Sequence, residues 1–107
     1  MENVREISVN DLPADAVILD VREDDEWAAG HVDGATHVPL GEVPQRLGEL
    51  PDGDPLFVIC RSGNRSGRAV AWLDQQGIES VNVTGGMRAW AAAGRPMVAD
   101  RGEPSVI

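Results

Sequence analysis

The chain has 107 residues, nine of them basic and eighteen acidic, which gives a formal net charge of −9. This length suits one domain, and the acidic balance argues against nucleic acid or an anionic membrane surface as a partner, because phosphate groups would be repelled. The single cysteine excludes an internal disulfide and has no metal-site spacing. We therefore expect neither a metal nor another cofactor.

The first residues lack the apolar segment of a secretory signal, and no run approaches the roughly 18 apolar residues of a membrane helix. A cytoplasmic protein is the expectation from this pattern. We expect one domain over residues 1–107, with a folded core at about 4–95 and an irregular C-terminal tail at 96–107.

Short apolar runs alternate with stretches of helical periodicity along the chain. Strands are predicted at 4–8, 16–20, 36–38, 57–59 and 80–84, and helices at 23–29, 42–50, 66–76 and 87–93. Strands that alternate with helices imply right-handed crossovers between parallel strands. The sequence therefore predicts an α/β fold, a three-layer α/β/α arrangement with a mainly parallel sheet of about five strands and helices on both faces.

The stretch at 56–68 carries the strongest chemical signal. Its apolar strand ends on Cys60, and a polar loop containing Gly63 leads directly into a helix. A helix N-terminus presents unpaired N–H groups and a positive dipole end, and consecutive loop amides can form an anion-binding nest. A cysteine held there favours the thiolate, and the flanking Arg61 and Arg65 act in the same direction. The alternative is a small buried core thiol.

The segment Cys60-Arg61-Ser62-Gly63-Asn64-Arg65-Ser66 resembles the active-site loop of the rhodanese-like sulfurtransferases. Three further segments resemble the family's other motifs in the family's order: Asp20-Val21-Arg22, Gly30-His31-Val32-Asp33-Gly34-Ala35 and Gly85-Gly86-Met87-Arg88-Ala89-Trp90. Together they span about residues 6–95. The resemblance implies the rhodanese fold and an enzyme of the thiosulfate sulfurtransferase type.

The resemblance also implies roles for individual residues. Cys60 is the catalytic nucleophile, which takes a sulfane sulfur from thiosulfate or a similar donor, carries it as a persulfide and passes it to cyanide or a cellular thiol. Asp20 and Arg22 support the site, with contact between Arg22 and the substrate as the alternative. The substrate-binding residues are Arg61, Ser62, Gly63, Asn64, Arg65 and Ser66. Some thiosulfate-preferring relatives have a cation at the position of Ser62, which leaves donor preference open.

The two histidines could be read as acid–base or metal-binding groups. His31 and His37 lie in a glycine-rich, turn-like stretch, without a cysteine or carboxylate constellation around them. We interpret both as hydrogen-bonded structural residues.

Two other functions are considered. A cysteine phosphatase or arsenate reductase shares the thiolate loop, but the phosphatase pattern has its clamping arginine one position later, where this chain has Ser66. A non-catalytic binding module of the same family typically lacks the cysteine, which is present here.

For sulfur transfer, the expected partners are a small anionic sulfur donor and a thiol acceptor, either a small molecule or a protein. The oligomeric state is not predicted.

Overall fold

A computed structural model describes residues 4–107. The strands are β1 (Glu6–Ser8), β2 (Ile18–Asp20), β3 (Thr36–His37), β4 (Leu56–Ile59) and β5 (Ser80–Thr84). The α-helices are α1 (Asp24–Ala29), α2 (Asn64–Gln75) and α3 (Gly86–Ala92), and 3₁₀ segments cover Val9–Asp11 and Leu40–Glu49.

All five strands join one sheet in the order β1-β5-β4-β2-β3, and every pairing is parallel. Successive residues of a strand point to opposite faces, so Phe57 and Val58 of β4 enter different cores. Phe57 belongs to the core that includes Trp90 of α3, whereas Val58 belongs to the core that includes Leu73 of α2. The predicted parallel α/β sheet with helices on both faces is confirmed.

The helix predicted at 42–50 is present as 3₁₀ turns and not as a regular α-helix. The chain forms 3₁₀ turns over Leu40–Glu49, interrupted at Arg46, which has non-helical dihedral angles (φ −119°, ψ 26°). Pro44 cannot donate a backbone hydrogen bond, and the glycines in this segment disfavour a long helix, so short turns replace it. Val43 is nevertheless buried and Leu47 packs against the same core, so the predicted apolar face is correct.

The C-terminal tail is irregular, as predicted, but it is packed against α1. The backbone N–H of Asp100 donates to the carbonyl of Ala28 at 3.0 Å, and that of Ser105 donates to Ala29 at 2.9 Å. These bonds satisfy carbonyls that the end of a helix leaves free. The approach is so close that a Cβ on Gly30 would lie 2.5 Å from the carbonyl oxygen of Ser105.

Within residues 4–107, no helix has the length and apolarity needed to span a membrane.

Candidate active site

Cys60 directly follows β4, at the edge of the sheet where β2 also ends. Asp20 is paired with Ile59, so the Asp20–Arg22 segment and the cysteine loop leave the sheet side by side. Ligands of parallel α/β sheets bind beyond the carboxyl ends of the strands. Cys60 is only 1% exposed, so its sulfur lies at the base of the loop and not on the open surface.

The loop bends around the sulfur at Gly63. This residue precedes α2 and has a φ of 107°, a conformation that glycine adopts without strain. Its N–H donates to Cys60 Sγ at 3.1 Å, and the Ser66 hydroxyl donates to the same sulfur at 3.2 Å. The sulfur therefore receives donors from both the loop and the first turn of α2, as the sequence predicted.

This environment changes the acidity of the cysteine. Burial raises the pKa of the Cys60 thiol. The hydroxyl and the backbone N–H of Ser66 lower that pKa, as do the backbone N–H groups of Gly63 and Ser62. The hydrogen bonds prevail, and the pKa lies below the ordinary value of a cysteine. The site thus favours the thiolate, which is the nucleophilic form.

The first turn of α3, which begins with a double glycine, is hydrogen-bonded to the main chain of the cysteine loop. The N–H of Met87 donates to the carbonyl of Cys60 at 2.8 Å, and that of Arg88 donates to Arg61 at 3.0 Å. Gly86 has a φ of 57°, and a Cβ there would lie 2.3 Å from the carbonyl oxygen of Cys60. A glycine is needed because two main-chain segments meet at this point.

The two loop arginines each have a partner within the chain. Arg65 forms a two-pronged ion pair with Glu26, with N–O distances of 2.7 and 2.8 Å. Arg61 is exposed, and its Nε donates to the main-chain oxygen of Ile107 at 2.8 Å. Both stay at the loop, but their cationic groups are already engaged.

Glu26 is a site residue that sequence analysis missed. Its hydrogen bonds with Arg65 lower the pKa of Glu26 to about 2, so the carboxylate is ionised at any ordinary assay pH. The side chain also accepts from the N–H of Glu23 and completes a capping box on α1. The sequence does not indicate this pairing, because Arg65 lies 39 positions away.

Asp20 and Arg22 lie behind the loop as a buried ion pair. Both side chains are fully buried, with 2.7 Å between Arg22 Nη2 and Asp20 Oδ2. The guanidinium also donates to the carbonyls of Glu26 and Gly30, at 3.2 and 2.8 Å. Arg22 therefore fixes the helix that carries Glu26, which suits a supporting role.

Ser62 and Asn64 contribute to the loop in different ways. The N–H of Ser62 is among the groups that lower the pKa of Cys60, and Asn64 is the first residue of α2. Both residues are exposed at the rim of the loop.

The histidines are hydrogen-bonded, as the sequence analysis proposed. His31 Nδ1 lies 2.7 Å from the carbonyl oxygen of Trp27, and His37 Nε2 lies 2.7 Å from that of Arg22. Both rings stack on Trp27, with centroid distances of 3.6 and 4.8 Å. They brace α1 and the loop that follows it.

A second missed residue lies in β5. Asn82 is 4% exposed and connects Glu6 of β1 with the cysteine loop through hydrogen bonds to Glu6, Gly63 and Ser66. The signal in the sequence was a polar residue between Val81 and Val83 at a buried position of the strand. The side chain of this residue points toward the reactive loop.

Comparison with known proteins identifies the family to which the chain belongs. The family model of the rhodanese-like domain matches residues 6–93. A protein named sulfurtransferase from Allochromatium vinosum is 40% identical over 89 residues, which cover 82% of this chain and 83% of that protein. The chain belongs to the rhodanese-like domain family, whose members include sulfurtransferases.

A solved structure supports the same fold. The rhodanese-related protein from Thermoplasma volcanium superimposes with a TM-score of 0.81 at 35% identity, covering 88% of this chain and 97% of that one. Relatives differ in length: YrkF of Bacillus subtilis is 47% identical over 74 residues, but the match covers only 40% of that protein. This chain therefore corresponds to only part of that longer relative.

Proposed function

We propose that this protein is a thiosulfate sulfurtransferase that carries sulfur as a persulfide on Cys60. The observation that carries this proposal is the pair of donors on Cys60 Sγ, the Gly63 N–H and the Ser66 hydroxyl. Such a site stabilises an anionic sulfur and prepares it for attack.

The reaction has two half-reactions. The Cys60 thiolate attacks the outer sulfur of thiosulfate, the S–S bond of the donor breaks, and sulfite leaves with its electron pair. The outer sulfur stays on Cys60 as an anionic persulfide, held by the amides of residues 61–66 and the positive end of α2. A cyanide ion or thiolate then attacks that sulfur, and the Cys60 thiolate is released.

The depth and charge of the site favour a small anionic donor. Because Cys60 is 1% exposed, the transferred sulfur has to enter the loop to reach Sγ. Thiosulfate presents its outer sulfur at the end of a compact anion. Arg61 and Arg65 attract such an anion to a chain whose net charge is −9, and the Glu26 carboxylate that pairs with Arg65 weakens this attraction.

The loop is poorly suited to phosphate. Four residues separate Cys60 from Arg65, and the position of a phosphatase's clamping arginine is Ser66, which bonds to the sulfur. Arg65 is held by Glu26. We therefore expect no Cys60-dependent hydrolysis of aryl phosphates at a rate comparable to sulfur transfer.

Steady-state kinetics with thiosulfate and cyanide test the proposal. Varying one substrate at several fixed concentrations of the other should give parallel double-reciprocal lines, because sulfite leaves before cyanide reacts. Intersecting lines, which would require both substrates on the enzyme at once, would contradict a free persulfide intermediate.

This chain offers no acceptor thiol of its own. Cys60 is the only cysteine in the chain, so its persulfide cannot be released as an internal disulfide. A thiol of a small molecule or of a protein is the acceptor class, and neither nucleic acid nor a membrane surface suits the acidic chain. Such thiols are abundant in a reducing compartment, which is consistent with a cytoplasmic site of action.

Glu26→Gln should lower the KM for thiosulfate about two- to fivefold and leave kcat nearly unchanged. The substitution removes the negative charge from Arg65, so more of the arginine's charge acts on the donor anion. Initial rates of thiocyanate formation over a range of thiosulfate concentrations measure the effect. Added salt should reduce it through screening.

Two variants serve as controls for Glu26→Gln. Glu49→Gln makes the same change in net charge on an ion pair with Arg46, within the 3₁₀ segment Leu40–Glu49, and should leave KM unchanged. Arg65→Ala should raise KM. If Glu26→Gln also raises KM, the pair acts by holding the loop in place, and Arg65 has no role in donor capture.

A further inference from the structure

Asn82 forms a hydrogen-bonded link between the outer strand of the sheet and the cysteine loop. Its Nδ2 donates to the carbonyl of Gly63 at 3.0 Å and to Glu6 Oε1 at 3.1 Å. A carbonyl and a carboxylate accept hydrogen bonds, so these two contacts fix which way the amide faces. The remaining atom, Oδ1, therefore points at Ser66, where the Oγ–Oδ1 distance is 2.5 Å.

Ser66 has one hydroxyl proton and two acceptors within reach. Its Oγ lies 2.5 Å from Asn82 Oδ1 and 3.2 Å from Cys60 Sγ. The hydroxyl can donate its one proton to only one of these atoms at a time. Rotation about the C–O bond turns the proton toward either acceptor. When the proton points to Oδ1, a lone pair of Oγ faces the sulfur and suits an S–H donor. When it points to Sγ, it stabilises the thiolate.

We propose that Asn82 is a positioning residue that acts through Ser66, as the alternative acceptor for the hydroxyl proton. In the thiol form, Cys60 S–H donates to Ser66 and Ser66 donates to Asn82. When the thiol proton leaves to solvent, the hydroxyl turns to Sγ and Oδ1 loses its donor. In a persulfide the charge lies on the outer sulfur, so the hydroxyl returns to Asn82.

This competition has a consequence for the acidity of the sulfur. Forming the thiolate costs the Ser66–Asn82 hydrogen bond, so Asn82 holds the pKa of Cys60 above the value that Ser66 and the loop amides alone would give. The attacking thiol is most effective when its pKa lies near the ambient pH, because a strongly acidic thiol is a weaker nucleophile. Only the persulfide step rests on the proposed function.

Substitutions at Asn82 should move the titration of Cys60 in opposite directions. Leucine has the same branching as asparagine but no acceptor, so Asn82→Leu frees the Ser66 proton for the sulfur. The titration midpoint should fall by about 0.5–1 pH unit, the effect of one ordinary hydrogen bond. Asn82→Asp keeps the acceptor and adds negative charge, so the midpoint should rise.

The readouts are the ultraviolet absorbance of the thiolate and the rate of alkylation by iodoacetamide, each followed against pH. Neither needs a sulfur donor or acceptor, so a failure here is separate from a failure of sulfur transfer. Thr84→Val is the matched control, since Thr84 also contacts Glu6 from β5 and no bond joins it to Ser66 among the described contacts. Its midpoint should equal that of the wild type.

The decisive comparison uses a Ser66→Ala background, in which Asn82 has no hydroxyl through which to act. There Asn82→Leu should produce no further shift. The proposal would be overturned if Asn82→Leu alone left the Cys60 titration midpoint unchanged or raised it. It would also be overturned if Asn82→Leu shifted that midpoint equally with and without the Ser66 hydroxyl. If Asn82→Leu does not fold, Asn82→Asp carries the test: its upward shift has to shrink without the Ser66 hydroxyl.

Discussion

Replacing Cys60 with serine should reduce thiocyanate formation from thiosulfate and cyanide by roughly 10³-fold or more. A serine hydroxyl stays protonated at neutral pH and cannot accept a sulfane sulfur as a thiolate does. The chain has no second cysteine to take over the reaction. Substantial turnover in Cys60→Ser would show that the sulfur passes directly from donor to acceptor or that another group reacts.

A control variant and a stability measurement separate loss of chemistry in Cys60→Ser from loss of folded protein. Ser105→Ala removes a hydroxyl from the exposed tail and should leave the rate unchanged, which controls for handling of the variants. Serine is smaller than cysteine and still accepts hydrogen bonds from Ser66 and Gly63, so the thermal midpoint should change little. A large loss of stability would mean that the lost activity reflects unfolding.

The pH dependence of the wild type follows from the same thiolate. The pKa of Cys60 is below its usual value, and only the ionised form attacks the donor. The rate should therefore fall as the pH drops through the lowered pKa, as the sulfur gains a proton, and this fall should come at a lower pH than for an ordinary cysteine. A rate that falls only along the titration curve of an ordinary free thiol would contradict the hydrogen-bonded environment of the sulfur.

Arg22→Met should lower the free energy of unfolding by about 3–5 kcal/mol. The substitution leaves the carboxylate of Asp20 fully buried without its counter-charge, and it removes the donors to the carbonyls of Glu26 and Gly30. Urea unfolding monitored by tryptophan fluorescence measures the change as a shift of the midpoint.

Arg46→Met provides the matched control. Arg46 pairs with Glu42 and Glu49 at the surface, where both carboxylates are more than half exposed (56% and 60%), so its removal should lower the free energy of unfolding far less than Arg22→Met does. The double variant Asp20→Leu/Arg22→Met should recover part of the stability, because it no longer buries an unpaired charge. Equal losses for Arg22→Met and Arg46→Met would contradict the structural role of the buried pair.

The sequence was informative wherever the signal is local. The strand at 80–84 is present with its predicted bounds, because apolar alternation and flanking turn residues are short-range features. The cysteine loop is equally local: a strand, a glycine with positive φ and a helix N-terminus follow one another directly, so the thiolate environment could be inferred without a structure.

The features of the site that the sequence did not predict depend on contacts between residues far apart in the chain. The ion pair between Arg65 and Glu26 and the hydrogen bond between Ser66 and Asn82 join different elements, separated by 39 and 16 positions. The charge or polarity of a residue does not indicate which distant residue it pairs with in the folded chain. The helix at 42–50 was predicted from its apolar spacing, and that spacing alone does not show that Pro44 and the glycines favour 3₁₀ turns over a regular α-helix.

The central claim is that sulfur resides covalently on Cys60 between donor and acceptor. Intact-protein mass spectrometry after treatment with thiosulfate and desalting tests it most directly. The wild type should gain the mass of one sulfur atom, keep it in the absence of an acceptor and lose it on addition of glutathione, whereas Cys60→Ser should gain nothing. A wild type that never gains this mass, or a Cys60→Ser variant that gains it equally, would contradict the account.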